Sequence, residues 1–134
     1  MQLLDIPAAI PDRIEHLLRP IVKCPPSEAP DSSRSGWDRI ESQLVEWEQH
    51  PDQLEDDGLE PPNHETTPLI REVCHALRAL AVDPPSRLVP NCEAGAVFEW
   101  RTASFLWSVE VERDGVLELS EFRAGRLVLR YRLA

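Results

Sequence analysis

At 134 residues the chain is sized for one domain, able to bury roughly two thirds of the surface its unfolded form exposes. Its formal net charge of −10 excludes a binder that grips phosphate backbones with clustered lysine and arginine. The lack of any apolar run of about eighteen residues and of a basic-then-apolar leader predicts neither a membrane span nor a signal peptide.

Three cysteines, Cys24, Cys74 and Cys92, form an odd and widely spaced set. That spacing argues against a disulfide framework and for structural thiols in a reducing, cytoplasmic compartment.

In chain order, Ile6-Pro7 and Ile10-Pro11 punctuate the first residues, and residues 12–19 predict a short helix with Ile14, Leu17 and Leu18 inward. Pro20 ends it, and residues 25–33, rich in proline and serine, read as a linker. Residues 1–34 are thus expected to form an arm, able to serve partner binding or oligomerisation, ahead of one domain over 35–134.

Trp37, Ile40, Leu44 and Trp47, spaced three, four and three apart, place an apolar stripe on a helix predicted over 35–49. Ser35 is the expected N-cap, with Asp38 and Glu41 favoured by the helix N-terminus. Residues 51–65, with Asp56-Asp57-Gly58 and Pro61-Pro62, read as a long acidic loop. A second helix is predicted over 67–82, capped by Thr67, with Pro68 at its first position and Leu69, Ile70, Val73, Leu77 and Leu80 buried. Pro84-Pro85 ends it and leads into Arg87-Leu88-Val89-Pro90, an expected edge strand.

The last third reads as four strands, AVFEWR, FLWSVEVER, VLELSEFR and RLVLRYRL, with period-two alternation. Phe98, Trp100, Phe105, Trp107, Val109, Val111, Leu117, Leu119, Leu127, Leu129, Tyr131 and Leu133 form the expected apolar face. Glu99, Ser108, Glu110, Glu112, Glu118, Glu121, Arg130 and Arg132 form the wet one. Asp114-Gly115 and Ala124-Gly125 supply the turns. The expected fold is α+β: a four- to five-stranded antiparallel meander with two main helices packed on one face and a short N-terminal helix or arm.

The order Gly36-Trp37-Asp38, Pro61-Pro62 with Glu65, a helix, Pro85-Ser86, Val89-Pro90, Gly95, Phe98-Glu99-Trp100 and the Glu110, Glu112, Asp114-Gly115 hairpin resembles a family of small uncharacterised bacterial proteins. The resemblance spans residues 36–133 and implies the architecture, with no activity attached to it. Residues 40–47 and the acidic stretch after them are an expansion relative to that pattern.

No catalytic signature stands out. Cys74 and His75 are adjacent on a helix, about 100° apart, so they cannot converge on one metal ion. His16, His50 and His64 have no ligand-like spacing to Cys24 or Cys92, and residues 52–58 lack the alternating ligands of a calcium loop. Glycine-rich phosphate loops are absent. No cofactor, metal or catalytic residue is therefore expected.

The charge is one-sided. Residues 1–85 carry seven basic and seventeen acidic side chains, whereas residues 86–134 carry seven of each. Ten carboxylates fall between Asp38 and Glu65, with only Arg39 to oppose them in sequence. The expected function is that of a non-enzymatic acidic interaction protein, antitoxin-, immunity- or inhibitor-like, presenting residues 38–65 to a basic protein partner. Trp47, Glu48, Asp52, Glu55, Asp56 and Asp57 are its candidate contacts. The alternative is a small enzyme or ligand binder using Glu99, Glu110, Glu112 and Arg130 on the polar face of the sheet. A further expectation is that the edge strand at 126–133 pairs with a second copy of the chain.

Overall fold

The computed structural model describes residues 30–133. The expected helix over 12–19, Cys24, His16 and the first part of the 25–33 linker lie outside the described residues. Three helices, α1 (Pro30–Gln49), α2 (Pro51–Asp56) and α3 (Thr66–Ala79), precede five strands. These are β1 (Arg87–Pro90), β2 (Ala96–Arg101), β3 (Phe105–Val111), β4 (Leu117–Arg123) and β5 (Arg126–Leu133). The strands form one antiparallel sheet in the order β1-β2-β3-β4-β5, so the architecture is α+β.

Helix α1 begins five residues before the expected Ser35, which therefore lies inside the helix and caps nothing. Its stripe behaves as the spacing dictates: Trp37, Ile40 and Leu44 are buried, and Trp47 packs half-buried against the same core. Gly36 faces Pro84, whose Cγ would lie only 2.4 Å from an added Cβ. Glycine here lets α1 close onto the 80–86 connector. That connector is also held by two indoles, with Trp37 Nε1 donating to Val82 O at 2.9 Å and Trp100 Nε1 to Asp83 O at 2.7 Å.

The expected acidic loop over 51–65 contains helix α2. Pro51 sits at its start, where a missing N–H costs nothing, and Leu54 is its buried anchor. The helix ends in a Schellman arrangement: Leu59 N–H donates to Leu54 O at 2.9 Å and Gly58 N–H to Glu55 O at 3.0 Å, with Gly58 at φ +78°.

Helix α3 starts at Thr66, and its cap is neither Thr67 nor Pro68 chemistry. Asn63 Oδ1 accepts from the backbone N–H of Glu65 and Thr66 and from Thr66 Oγ1, while Thr67 Oγ1 donates to Asn63 O. A short amide side chain upstream thus satisfies donors the helix cannot. Ile70, Val73, Cys74 and Leu77 are all fully buried. The helix ends before the proline pair, because Val82 N–H returns to Leu77 O and Ala81 N–H to Arg78 O.

The helices cover one face of the sheet. Leu88, Ala96, Phe98, Trp107, Val109, Val111, Leu117 and Leu119 are the buried sheet residues beneath them. Two strand residues differ from their expected faces. Glu121 pairs across from Trp107 and so shares the helix-covered face, buried at 6% exposure, whereas Glu118 lies on the open face. A step of three residues reverses the face, so the two glutamates cannot share one. Leu127 pairs with Phe122 while Leu129 pairs with Glu121, so Val128 is the extra residue of a bulge. That bulge moves Leu127 to the open face.

Candidate functional site

The two surfaces singled out by sequence are built differently. On the helical side, α1 and α2 run consecutively, and neither has a basic residue in its last turn. Glu46 and Glu48 close α1, while Glu55 and Asp56 close α2 with Asp57 as its C-cap. Carboxylates at a helix C-terminus oppose the negative end of the backbone dipole.

Sequence proximity suggested that only Arg39 opposes this cluster. Tertiary packing brings two more cations: Arg71 of α3 pairs with Glu48, and Arg78 pairs with Asp38 and Glu41, each at 3.2 Å. The seven-residue step from Arg71 to Arg78 matches, in reverse, the step from Glu48 to Glu41 on α1. That matched heptad spacing on two helices was the available signal, and it becomes meaningful only once the helices are known to be antiparallel neighbours. His75 Nε2 lies 3.8 Å from Glu41 on the same seam.

Of the candidate contacts, Glu48 is therefore already paired. Glu46, Asp52, Glu55, Asp56, Asp57 and Glu60 are exposed and make no ion pair among the described residues. Trp47 lies half-buried beside them, and Val45, at 42% exposure, adds an apolar side chain on α1 that the sequence reading did not single out.

The open face of the sheet is a lattice of ion pairs. Arg87 Nε donates to Glu99 Oε1 at 2.6 Å, and this bond holds the guanidinium pKa above its ordinary value. Arg130 meets Glu118 at 3.1 Å, and Arg132 bridges Glu118 at 2.6 Å and Glu112 at 2.9 Å. Glu110 accepts from Asn91 Nδ2 at 2.9 Å. Desolvation raises the Glu112 pKa, opposed by Arg132 and reinforced by Glu110, Asp114 and Glu118. Glu99, Glu110, Glu112 and Arg130 are thus each engaged by a different partner, and they do not converge on one point.

A shallow depression of about 180 Å³ on this face is lined by Ser86, Arg87, Glu99 and Arg101. Its carboxylate is neutralised by its own neighbour Arg87, and Ser86 Oγ accepts from Arg101 N–H at 2.9 Å. Among the described residues no cluster of three or more His, Cys, Asp or Glu side chains could hold a metal ion.

The thiols diverge. Cys74 is fully buried and its pKa is pushed up to about 12 by desolvation first and by Glu41 second, with Arg78 opposing. It is an inert core residue. Cys92 is exposed in the β1–β2 connection.

No helix among the described residues is long and apolar enough to cross a membrane. No protein-family model matches this chain, and comparisons with curated proteins and with solved structures likewise give no match.

Proposed function

We propose that the protein is a non-enzymatic interaction module that offers the surface of α1 and α2 to a basic protein partner. One observation carries this reading. Glu46, Glu55, Asp56 and Asp57 stand unpaired among the described residues at the C-terminal ends of two successive helices, where each opposes the helix dipole. Like charges so placed cost stability and receive no compensation from the fold. Residues that break a local rule without a structural return are characteristic of a surface shaped by binding.

Charge of this kind steers a positively charged partner and raises its association rate at low ionic strength. Val45, exposed on α1 among these carboxylates, supplies an apolar contact that a rim of carboxylates alone lacks, while Trp47, about 200° around the helix, packs toward the core. The rival reading, an enzyme or ligand binder on the open sheet face, has less support, because Glu99, Glu110, Glu112 and Arg130 have separate partners.

The test is affinity capture with the full chain and with a Glu55→Gln/Asp56→Asn/Asp57→Asn variant. A stoichiometric basic protein retained at low salt, released at about 0.5 M salt and not retained by the variant is the expected result. Recovery of no stoichiometric protein, or equal recovery by the variant, overturns the reading.

A further inference from the structure

We infer that the free edge of β5 accepts an acidic, extended segment of another protein as a sixth strand, independently of the α1–α2 surface. Among the described residues the sheet has two open edges, and they are not alike. Strand β1 has four residues and ends in Pro90, whereas β5 has eight and contains no proline. An outer strand of that length presents a row of backbone N–H and C=O groups unmatched on one side.

The side chains along it are unusual for solvent. Leu127, Val128 and Tyr131 are 43%, 52% and 48% exposed, and with Val45 they make up the exposed large apolar residues among the described ones. They lie on both sides of the strand. The register sets Tyr131 beside Leu119 on the helix-covered face and Leu127 beside Phe122 on the open face, so the helices stop short of β5. An added strand would therefore find apolar contact above and below the sheet.

Charge selects the occupant. Every charged residue of β5 is an arginine: Arg126, Arg130 and Arg132. Arg126 lies across the hairpin from Arg123, which Glu121 already holds at 2.6 Å, and itself has no ion pair among the described residues, so its guanidinium is available to an incoming carboxylate. Arg130 and Arg132 are held by Glu118 and Glu112, yet both side chains remain 53% exposed, with donors left for a further acceptor.

A second copy fits poorly. Pairing β5 with itself sets three arginines against three with no acidic residue on either strand, between chains that each carry −10. Arginines along an edge discourage pairing with like-charged strands. They favour an acidic one, and strand addition is a common way of gaining main-chain affinity with side-chain selectivity.

The experiment uses the full chain and a fluorescent eight-residue peptide alternating glutamate and valine, followed by anisotropy. One-to-one binding that weakens with salt is expected, together with about a tenfold loss in Arg126→Glu. A lysine–valine counterpart should not bind. Methylating alternate backbone nitrogens of the acidic peptide should abolish binding in one of the two possible phases, since only one set of N–H groups faces β5. Equal binding of the lysine peptide, tolerance of methylation in both phases, an unaffected Arg126→Glu variant, or a dimer by light scattering in the absence of peptide each overturns the inference.

Discussion

Four tryptophans show how a single polar atom decides the role of a large ring. Trp37 and Trp107 are both core residues, but Trp37 Nε1 donates to Val82 O at 2.9 Å, whereas Trp107 Nε1 is buried with no hydrogen-bond partner among the described residues. A buried donor without an acceptor forfeits its hydration and gains nothing in return. Replacing Trp37 by Phe therefore removes a bond and frees a partly buried carbonyl, while replacing Trp107 by Phe removes an unmet donor. Both variants lose ring volume, so their difference isolates the N–H. Urea denaturation should find Trp37→Phe less stable than Trp107→Phe by about 1 kcal/mol. Equal losses would show that the Trp37–Val82 bond contributes nothing. The sequence placed both rings in the core from their spacing, but it could not distinguish them, since acceptor geometry depends on where the 80–86 connector passes.

At the scale of elements, helix ends show the same division. The apolar stripes of α1 and α3 are set by spacing and appear where period 3.6 puts them. Their boundaries are not. α1 extends to Pro30, α2 arises within a stretch read as loop, and α3 is capped by Asn63, three residues ahead of its first turn. Termination is a tertiary matter as well. Ala81 takes the left-handed position of the α3 Schellman turn at φ 59°, a place where α2 uses Gly58 at φ +78°. A Cβ in that region costs about 1 kcal/mol. Ala81→Gly should therefore raise the midpoint of thermal unfolding, by about 0.5–1 kcal/mol at the midpoint, whereas Gly58→Ala should lower it. A destabilised Ala81→Gly variant would mean that the residue's packing outweighs its backbone strain.

Over the whole molecule, charge and apolar exposure are segregated. Much of the acidic excess lies on α1 and α2, while the charged residues of β5 are all arginines. Self-repulsion among unpaired carboxylates lowers the stability of the folded state, and salt screens it. The Glu55→Gln/Asp56→Asn/Asp57→Asn variant should thus be more stable than the native chain by about 1 kcal/mol at low ionic strength. Near 1 M salt the two should converge. A variant less stable at low salt would show that these carboxylates hold the fold together instead of burdening it.

Composition, period and turn chemistry were enough to specify the α+β class, an antiparallel meander of four to five strands with its two glycine turns and most of the buried residues, because those depend on side-chain spacing along a regular backbone. The pairing of Arg71 and Arg78 with the acidic helix and the bulge that turns Leu127 outward required the folded molecule, whereas period two from Leu117 and Leu119 already puts Glu121 on the covered face. The pairing and the bulge rest on which element lies beside which and in what register. One extra residue in β5, invisible to a period-two reading, turns the Leu127 side chain from the covered face of the sheet to the open one.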